Sequence, residues 1–207
     1  MLHFKTVDPA TLELLKKLMK LPALTEKRLV GGTSLALQTG FRKSDDLDLF
    51  GPTPVDESEL SKQFTGIGEA FLVHNSANIH IWKINGIKVD IVDYPFEWIS
   101  DCIFESGIRL AGKEDIAAMK LSAITGRGSK KDFYDIYFLL KEFSLNQMLE
   151  FYQKKYPQGT LFLVLKSLAY FDDANENFEP TLIKPLPWKD VKASIISEID
   201  KYYNSNK

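Results

Sequence analysis

Val30-Gly31-Gly32-Thr33-Ser34-Leu35-Ala36-Leu37-Gln38-Thr39-Gly40-Phe41-Arg42-Lys43-Ser44-Asp45-Asp46-Leu47-Asp48-Leu49-Phe50 is the stretch on which the reading of this chain turns. Residues 28–30 read as a short strand that runs into two glycines. A helix is expected from about Thr33 to Gln38, with Gly40 placed to end it in a left-handed conformation. Carboxylates then alternate with leucines. Alternate residues of a strand share a face, so a strand over 46–50 points Asp46 and Asp48 one way and Leu47 and Leu49 into a core. Asp45 alternates away from the pair.

Two carboxylates on one strand face repel unless a cation lies between them. Glycines allow a tight turn and a close approach of backbone to phosphate. Amides at the start of the following helix favour an anion, and Thr33 and Ser34 add hydroxyls. Arg42 and Ser44 stand just before the carboxylates. The glycine pair alone reads equally well as a plain turn, and Asp-Leu-Asp alone as a solvated strand edge. Their joint spacing points to metal-dependent phosphoryl or nucleotidyl transfer.

Working outward, Asp8-Pro9 has the form of an N-cap followed by proline at the first helical position, opening a helix to about Lys20. Gly51-Pro52-Thr53-Pro54 breaks the strand, and residues 56–65 form an amphipathic helix. Ile79–Ile84 and Ile87–Val92 flank Asn85-Gly86, the strongest short-range hairpin signal. Asp90 sits in the second of these strands, among Ile87, Val89 and Ile91. A charge there needs a partner or a metal, which makes it a candidate third carboxylate. Asp93 competes for that role, but it has the opposite strand parity.

Beyond Lys113 the pattern becomes helical: 114–125, 131–143, a third from a Ser144/Gln147 capping box to about Lys155, 160–170, and 189–203, with a loop over 171–187. Strands first and helices after suggest an α+β fold, divided into an α/β core (1–112) and a helical region (113–207) packed on it. Lys120 shares a helix stripe with Ile116 and Ile124; it can snorkel to solvent or reach a triphosphate. Asp135 abuts an apolar helix face and is placed to hold Arg127 or Lys120. Asp132 reads as a helix-start acid favoured by the dipole. Arg109, Lys113, Lys120, Arg127, Lys130 and Lys131 outnumber Glu114 and Asp115 in this region, an excess that suits either a nucleic-acid backbone or a solvated surface.

Bulk properties narrow the classes. The chain has 207 residues, 44% hydrophobic and 26% charged, with a formal net charge of −2, so no global field draws it to nucleic acid. The single Cys102 excludes an intrachain disulfide and a cysteine-based zinc cluster. His3, His74 and His80 lack metal spacing, and Trp82, Trp98 and Trp188 read as core. No apolar run approaches a membrane span and the start lacks a signal-peptide core, so a cytoplasmic protein with no membrane partner is expected.

Taken together, these residues resemble the AbiEii/AbiGii toxin family of nucleotidyltransferases, within the DNA polymerase beta-like superfamily. The resemblance rests on Leu29–Leu37, Gly40–Phe50, Asp115–Lys120, Arg127, Lys131–Ile136, Tyr170–Ala174 and Trp188–Lys192, and so covers most of the chain. Phe41 stands where relatives often carry histidine. The resemblance implies a nucleotidyltransferase-like mixed sheet with flanking helices, followed by helices. It places Gly31, Gly32 and Thr33 at the nucleotide phosphates, Asp46 and Asp48 with Asp90 on Mg²⁺ (two ions), Lys120 at the nucleotide and Asp135 in support; Ser34, Arg42, Ser44 and Arg127 complete the expected nucleotide contacts. It also implies a nucleoside triphosphate substrate, a cognate antitoxin as partner and, in some relatives, a tRNA 3′ end as acceptor in abortive infection. Two other readings stand beside transfer to RNA: transfer to a protein or small molecule, and a non-catalytic module that binds an antitoxin or nucleic acid.

Overall fold

The structure, a computed structural model, describes residues 1–53 and 56–205. Pro54 of the breaker run lies outside the described residues. Two compact units are present: unit 1 comprises Met1–Phe96 and Asp101–Ala111, and unit 2 comprises Glu97–Ser100 and Gly112–Lys207.

Unit 1 is a mixed seven-stranded sheet with helices. Its strands are β1 (Arg28–Leu29), β2 (Leu47–Gly51), β3 (Ala70–Asn75), β4 (Ile79–Ile84), β5 (Ile87–Asp93), β6 (Ile103–Glu105) and β7 (Ile108–Leu110), in the order β3-β4-β5-β2-β1-β7-β6. The Asn-Gly hairpin forms as the sequence predicts: Asn85 and Gly86 both have positive φ (50° and 82°), the geometry of a tight turn between twisted strands. β4 and β5 then pair antiparallel with Ile84 opposite Ile87. Beyond the hairpin, β5 pairs parallel with β2, setting Leu47 against Val89, Asp48 against Asp90 and Leu49 against Ile91. The leucines, valine and isoleucine are fully buried in the core, each contributing about 1.5–3 kcal/mol. A one-residue slip would turn both aspartates into that core and expose its apolar row. The alternation therefore specifies the register that brings Asp48 and Asp90 side by side.

Three helices accompany the sheet: α1 (Pro9–Leu18), α2 (Gly31–Thr39) and α3 (Glu57–Thr65). Asp8 caps α1 by accepting from the Ala10 amide at 2.9 Å. Leu14, Leu15 and Leu18 carry α1 into the core. On α3, Leu60 and Phe64 do the same, and Phe64 meets Trp82 edge-on at 5.1 Å. Two boundaries differ from expectation. α2 starts at Gly31 rather than Thr33, directly after extended Val30. β2 starts at Leu47 rather than Asp46, because the Asp46 carbonyl is taken by the Thr33 hydroxyl.

Lys27 ties the far ends of β2 and β5 together. It is fully buried, and its ammonium donates to the Gly51 carbonyl, to Thr53 Oγ1 at 2.6 Å and to the Val92 carbonyl at 2.8 Å. Burial pushes the ammonium pKa down from 10.5 to about 8, with the Asp93 charge acting against that shift. Below about pH 8 both folded and unfolded chains hold this proton. Between about 8 and 10.5 only the unfolded chain does, so stability rises with pH across that window. Urea unfolding of the wild type and Lys27→Met at the two ends of the window is expected to show the rise in the wild type alone.

Unit 2 is helical: α4 (Lys113–Gly126), α5 (Lys130–Leu139), α6 (Leu145–Lys155), α7 (Leu161–Leu168), α8 (Asp172–Asn175) and α9 (Trp188–Ser205). The Ser144/Gln147 capping box is formed on both sides. α4 ends at Gly126, one residue beyond the predicted end at 125, and Gly128 follows in the turn with φ 47°. α5 stops at Leu139, short of the predicted Phe143. The segment read as a loop over 171–187 contains α8, anchored by Phe171 against Phe133 and Trp188 at 5.0 and 5.8 Å. The segment Glu97–Ser100 is held within this unit by Asp115. That fully buried carboxylate accepts from the amides of Ile99 (2.9 Å) and Ser100 (3.1 Å), from Ser100 Oγ (2.9 Å) and from Lys155 Nζ (2.7 Å). Among the described residues, no helix is long and apolar enough to cross a membrane.

Candidate active site

The candidate site of unit 1 lies where the Gly31-Gly32 turn meets β2 and β5. Gly31 is required by its backbone conformation, and Gly32 packs closely against side chains. Gly31 has φ 66°, and a Cβ there would collide with Asp48 Oδ2. A Cβ on Gly32 would collide with the Arg42 guanidinium and lie 3.1 Å from Ser44 Oγ. The turn thus seats its backbone directly on a carboxylate and on a cation, with no side chain between. Gly31→Ala adds left-handed strain and displaces Asp48. It is expected to cost about 1–3 kcal/mol in denaturant titrations and to slow transfer at least about 100-fold.

Thr33 and Ser34 are buried. The Thr33 hydroxyl bonds the Asp46 carbonyl and lies 3.0 Å from Ser44 Oγ, while Ser34 Oγ accepts from Gln38 Nε2 at 3.1 Å. Both residues, expected at the phosphates, latch the turn and helix in place. Arg42 is buried as well; it donates to the Lys43 carbonyl at 2.8 Å and lies over the Phe41 ring.

Asp48 and Asp90 are in-register partners on adjacent parallel strands, both half-buried. Asp90 Oδ2 is 2.7 Å from Lys88 Nζ. Its other oxygen, Oδ1, is buried without a hydrogen-bond partner, an arrangement that carries a cost unless something fills the place. Asp46 lies one residue before β2, and its charge reaches Lys88 together with those of Asp48 and Asp90. Asp93 has the other parity, is exposed and binds the Thr53 amide through Oδ1 at 3.2 Å. Among the described residues, no three His, Cys, Asp or Glu side chains converge closely enough to hold a metal ion by themselves. The two in-register carboxylates Asp48 and Asp90 are the kind of donor set to which Mg²⁺ adds water and substrate phosphates.

Unit 2 gathers the other candidates into a buried ionic network. Lys120 Nζ is 2.8 Å from Asp132 Oδ1 and 2.5 Å from Asp135 Oδ2, with both carboxylates fully buried. Arg127 grips Asp132 through Nε at 3.0 Å and Nη2 at 3.3 Å, and Ser129 Oγ donates to it at 2.5 Å. Burial pushes the Asp132 carboxyl up, but Lys120 and the hydrogen-bonded Arg127 outweigh it and hold the group well below the usual carboxylate range. Asp132 is therefore the hub of the network and not merely a helix-start acid; a side chain three residues before Asp135 on one helix face was the available signal. Lys120 turns inward to these partners and does not snorkel.

The basic run is also engaged by hydrogen bonds. Arg109 donates to the carbonyls of Lys27, Met19 and Leu24. Lys113 pairs with Glu142, and Lys130 donates to the Asn175 carbonyl. Lys113 is thus paired with a carboxylate, whereas hydrogen bonds to neutral carbonyls leave the charges of Arg109 and Lys130 in place. The tryptophans behave as expected for Trp82, which is buried. Trp188 is half-buried and stacks on Tyr134 at 5.7 Å; Trp98 is half-buried under Lys155. Lys88 is the residue that sequence reading passed over, although Lys88 and Asp90, two apart on one strand, necessarily share a face.

Comparison with known proteins identifies the family and the fold. Residues 13–201 match the family described as nucleotidyl transferase AbiEii toxin, type IV toxin–antitoxin system. An uncharacterized protein of Aquifex aeolicus (strain VF5) is 33% identical over 196 residues, covering 92% of this chain and 94% of that protein. The crystal structure of JHP933 from Helicobacter pylori superposes with a TM-score of 0.57 at 16% identity, covering 96% of this chain and 94% of that one. MenT4, a nucleotidyltransferase toxin from Mycobacterium tuberculosis H37Rv, gives 0.51 at 13% identity, covering 91% and 81%. At these identities the two structures speak for the fold alone. The family match spans nearly the whole chain and includes the glycine turn, the carboxylate strands and the ionic helices, and the chain belongs to the AbiEii nucleotidyltransferase toxin family.

Proposed function

We propose that the protein transfers a nucleoside monophosphate from a nucleoside triphosphate to an acceptor hydroxyl, releasing pyrophosphate. The observation that carries this reading is the in-register pair Asp48 and Asp90, with a buried Asp90 oxygen lacking a partner beside a glycine turn that admits no side chain. Asp48 and Asp90, with Asp46, are the residues that would hold Mg²⁺, as one ion or two. When bound, the metal supplies charge neutralisation at the triphosphate.

The amides at Gly31 and Gly32 and the start of α2 favour the phosphates, with Ser44 and Arg42 behind them. Asp90 accepts the proton of the acceptor hydroxyl as its oxygen bonds the α-phosphorus, and the bond to the bridging oxygen of the leaving pyrophosphate breaks. Catalysis then derives mainly from positioning and electrostatics. For Lys120 and Arg127 the family resemblance implies nucleotide contacts and for Asp135 a supporting role; within unit 2 Lys120 and Arg127 are engaged with Asp132 and Asp135. The acceptor proposed is an RNA 3′ end, as of tRNA, and the partner a cognate antitoxin, in the cytoplasm.

Incubation with each labelled triphosphate, Mg²⁺, total RNA and total protein tests this reading. Label is expected in RNA, and chelation is expected to remove it. Label in protein or in a small molecule would reassign the acceptor. No incorporation into any fraction, together with no nucleotide binding by calorimetry, would support a non-catalytic binding module instead.

A further inference from the structure

Lys88 stands in an unusual electrostatic position. It shares the sheet face of Asp90, with its ammonium 2.7 Å from Asp90 Oδ2. Directly across the antiparallel ladder it meets Lys83. Like charges opposite one another weaken a ladder, so sheet stability does not account for Lys88. Its compensation comes from the carboxylates. The ammonium lies against Asp90, which is itself the in-register neighbour of Asp48. The Lys88 side chain is 47% exposed and that of Asp90 17% exposed, so the lysine is the more solvent-exposed partner of the pair. Asp90 Oδ1 stays buried and unbonded even with Lys88 in place. The lysine satisfies only half of that carboxylate.

We propose that Lys88 is the resident counter-ion of the carboxylate site: its ammonium neutralises Asp90 in the cation-free protein, competes with the divalent cation for that carboxylate, and swings off Oδ2 when the cation loads. This rests on the reading of Asp48 and Asp90 as metal ligands. Removing the lysine distinguishes an ordinary surface ion pair from a competing counter-ion. Loss of a surface pair leaves cation affinity alone. Loss of a competitor tightens it, because the cation no longer has to displace a bound charge.

The test is Mn²⁺ titration of the 207-residue chain without nucleotide, monitored by electron paramagnetic resonance. Lys88→Met is expected to bind Mn²⁺ about three- to tenfold more tightly than the wild type. It is also expected to melt at lower temperature in chelator and to recover on Mn²⁺ addition by more than the wild type does. Lys88→Arg, which keeps the charge, and Lys83→Met, which lies outside the pair, are expected to retain wild-type affinity. Should Lys88→Met fail to fold, Lys88→Gln carries the same measurement. Unchanged or weaker Mn²⁺ binding in the folded neutral variant overturns the counter-ion role. Equal Mn²⁺ binding by the wild type and by a variant carrying both Asp48→Asn and Asp90→Asn would instead overturn the metal reading beneath it.

Discussion

Asp48→Asn is expected to reduce nucleotidyl transfer by about 10³-fold or more while the protein remains folded. The substitution keeps size and half of the hydrogen-bonding capacity, and it removes the charge. Asp48 sits on β2 between fully buried Leu47 and Leu49, with its own side chain on the opposite face, so the apolar row that sets the register is untouched. Removing one of two adjacent negative charges also relieves repulsion across the Asp48/Asp90 pair, and the melting temperature in chelator is expected to hold or to rise slightly. Initial rates with saturating Mg²⁺ and the melting curve are the two measurements. Full transfer activity with normal metal dependence in Asp48→Asn would sink the metal assignment.

The second large effect belongs to unit 2. Lys120→Met is expected to destabilise the protein by about 3–5 kcal/mol, since it strips the shared cation from Asp132 and Asp135 and leaves buried carboxylates undercompensated. For a chain of this size that corresponds to a fall of roughly 6–20 °C in melting temperature. Arg127 retains its hold on Asp132, whereas Asp135 loses the 2.5 Å contact with Lys120 Nζ. Adding Asp135→Asn to Lys120→Met is therefore expected to restore part of the loss, a coupling that a double-mutant cycle measures directly. If Lys120→Met melts like the wild type, the network does not hold unit 2 together.

The parts of this protein that the sequence determined are those governed by local periodicity and turn chemistry. Alternation at Asp46–Leu49 and Val89–Ile91 specifies two strands with one apolar face each. Asn85-Gly86 specifies the hairpin, because few other pairs tolerate two successive positive φ angles. Asp8-Pro9 and Ser144/Gln147 mark helix starts, because a cap is an interaction between residues two or three apart. Membership of the family was legible from the run of motifs over most of the chain, and residues 13–201 match it.

Only the tertiary structure decided where these side chains spend their hydrogen bonds. Thr33 and Ser34 have the chemistry to meet phosphate, yet Thr33 is committed to the Asp46 carbonyl and Ser34 to Gln38. Lys27, which no sequence motif singles out, clamps β2 to β5 from a distance of 65 residues along the chain to Val92. Asp115 and Lys155, 40 residues apart, close on the Glu97–Ser100 segment. Lys120 turns inward because two aspartates from α5 await it. Desolvation of a charge depends on everything packed around it, which spacing along one element does not record. Residue types and periodicity therefore determined which charges this protein carries near its strands and helices, and the packing of the folded chain decided which of them are spent on structure and which, like Asp90 Oδ1, are left with an unmet bond.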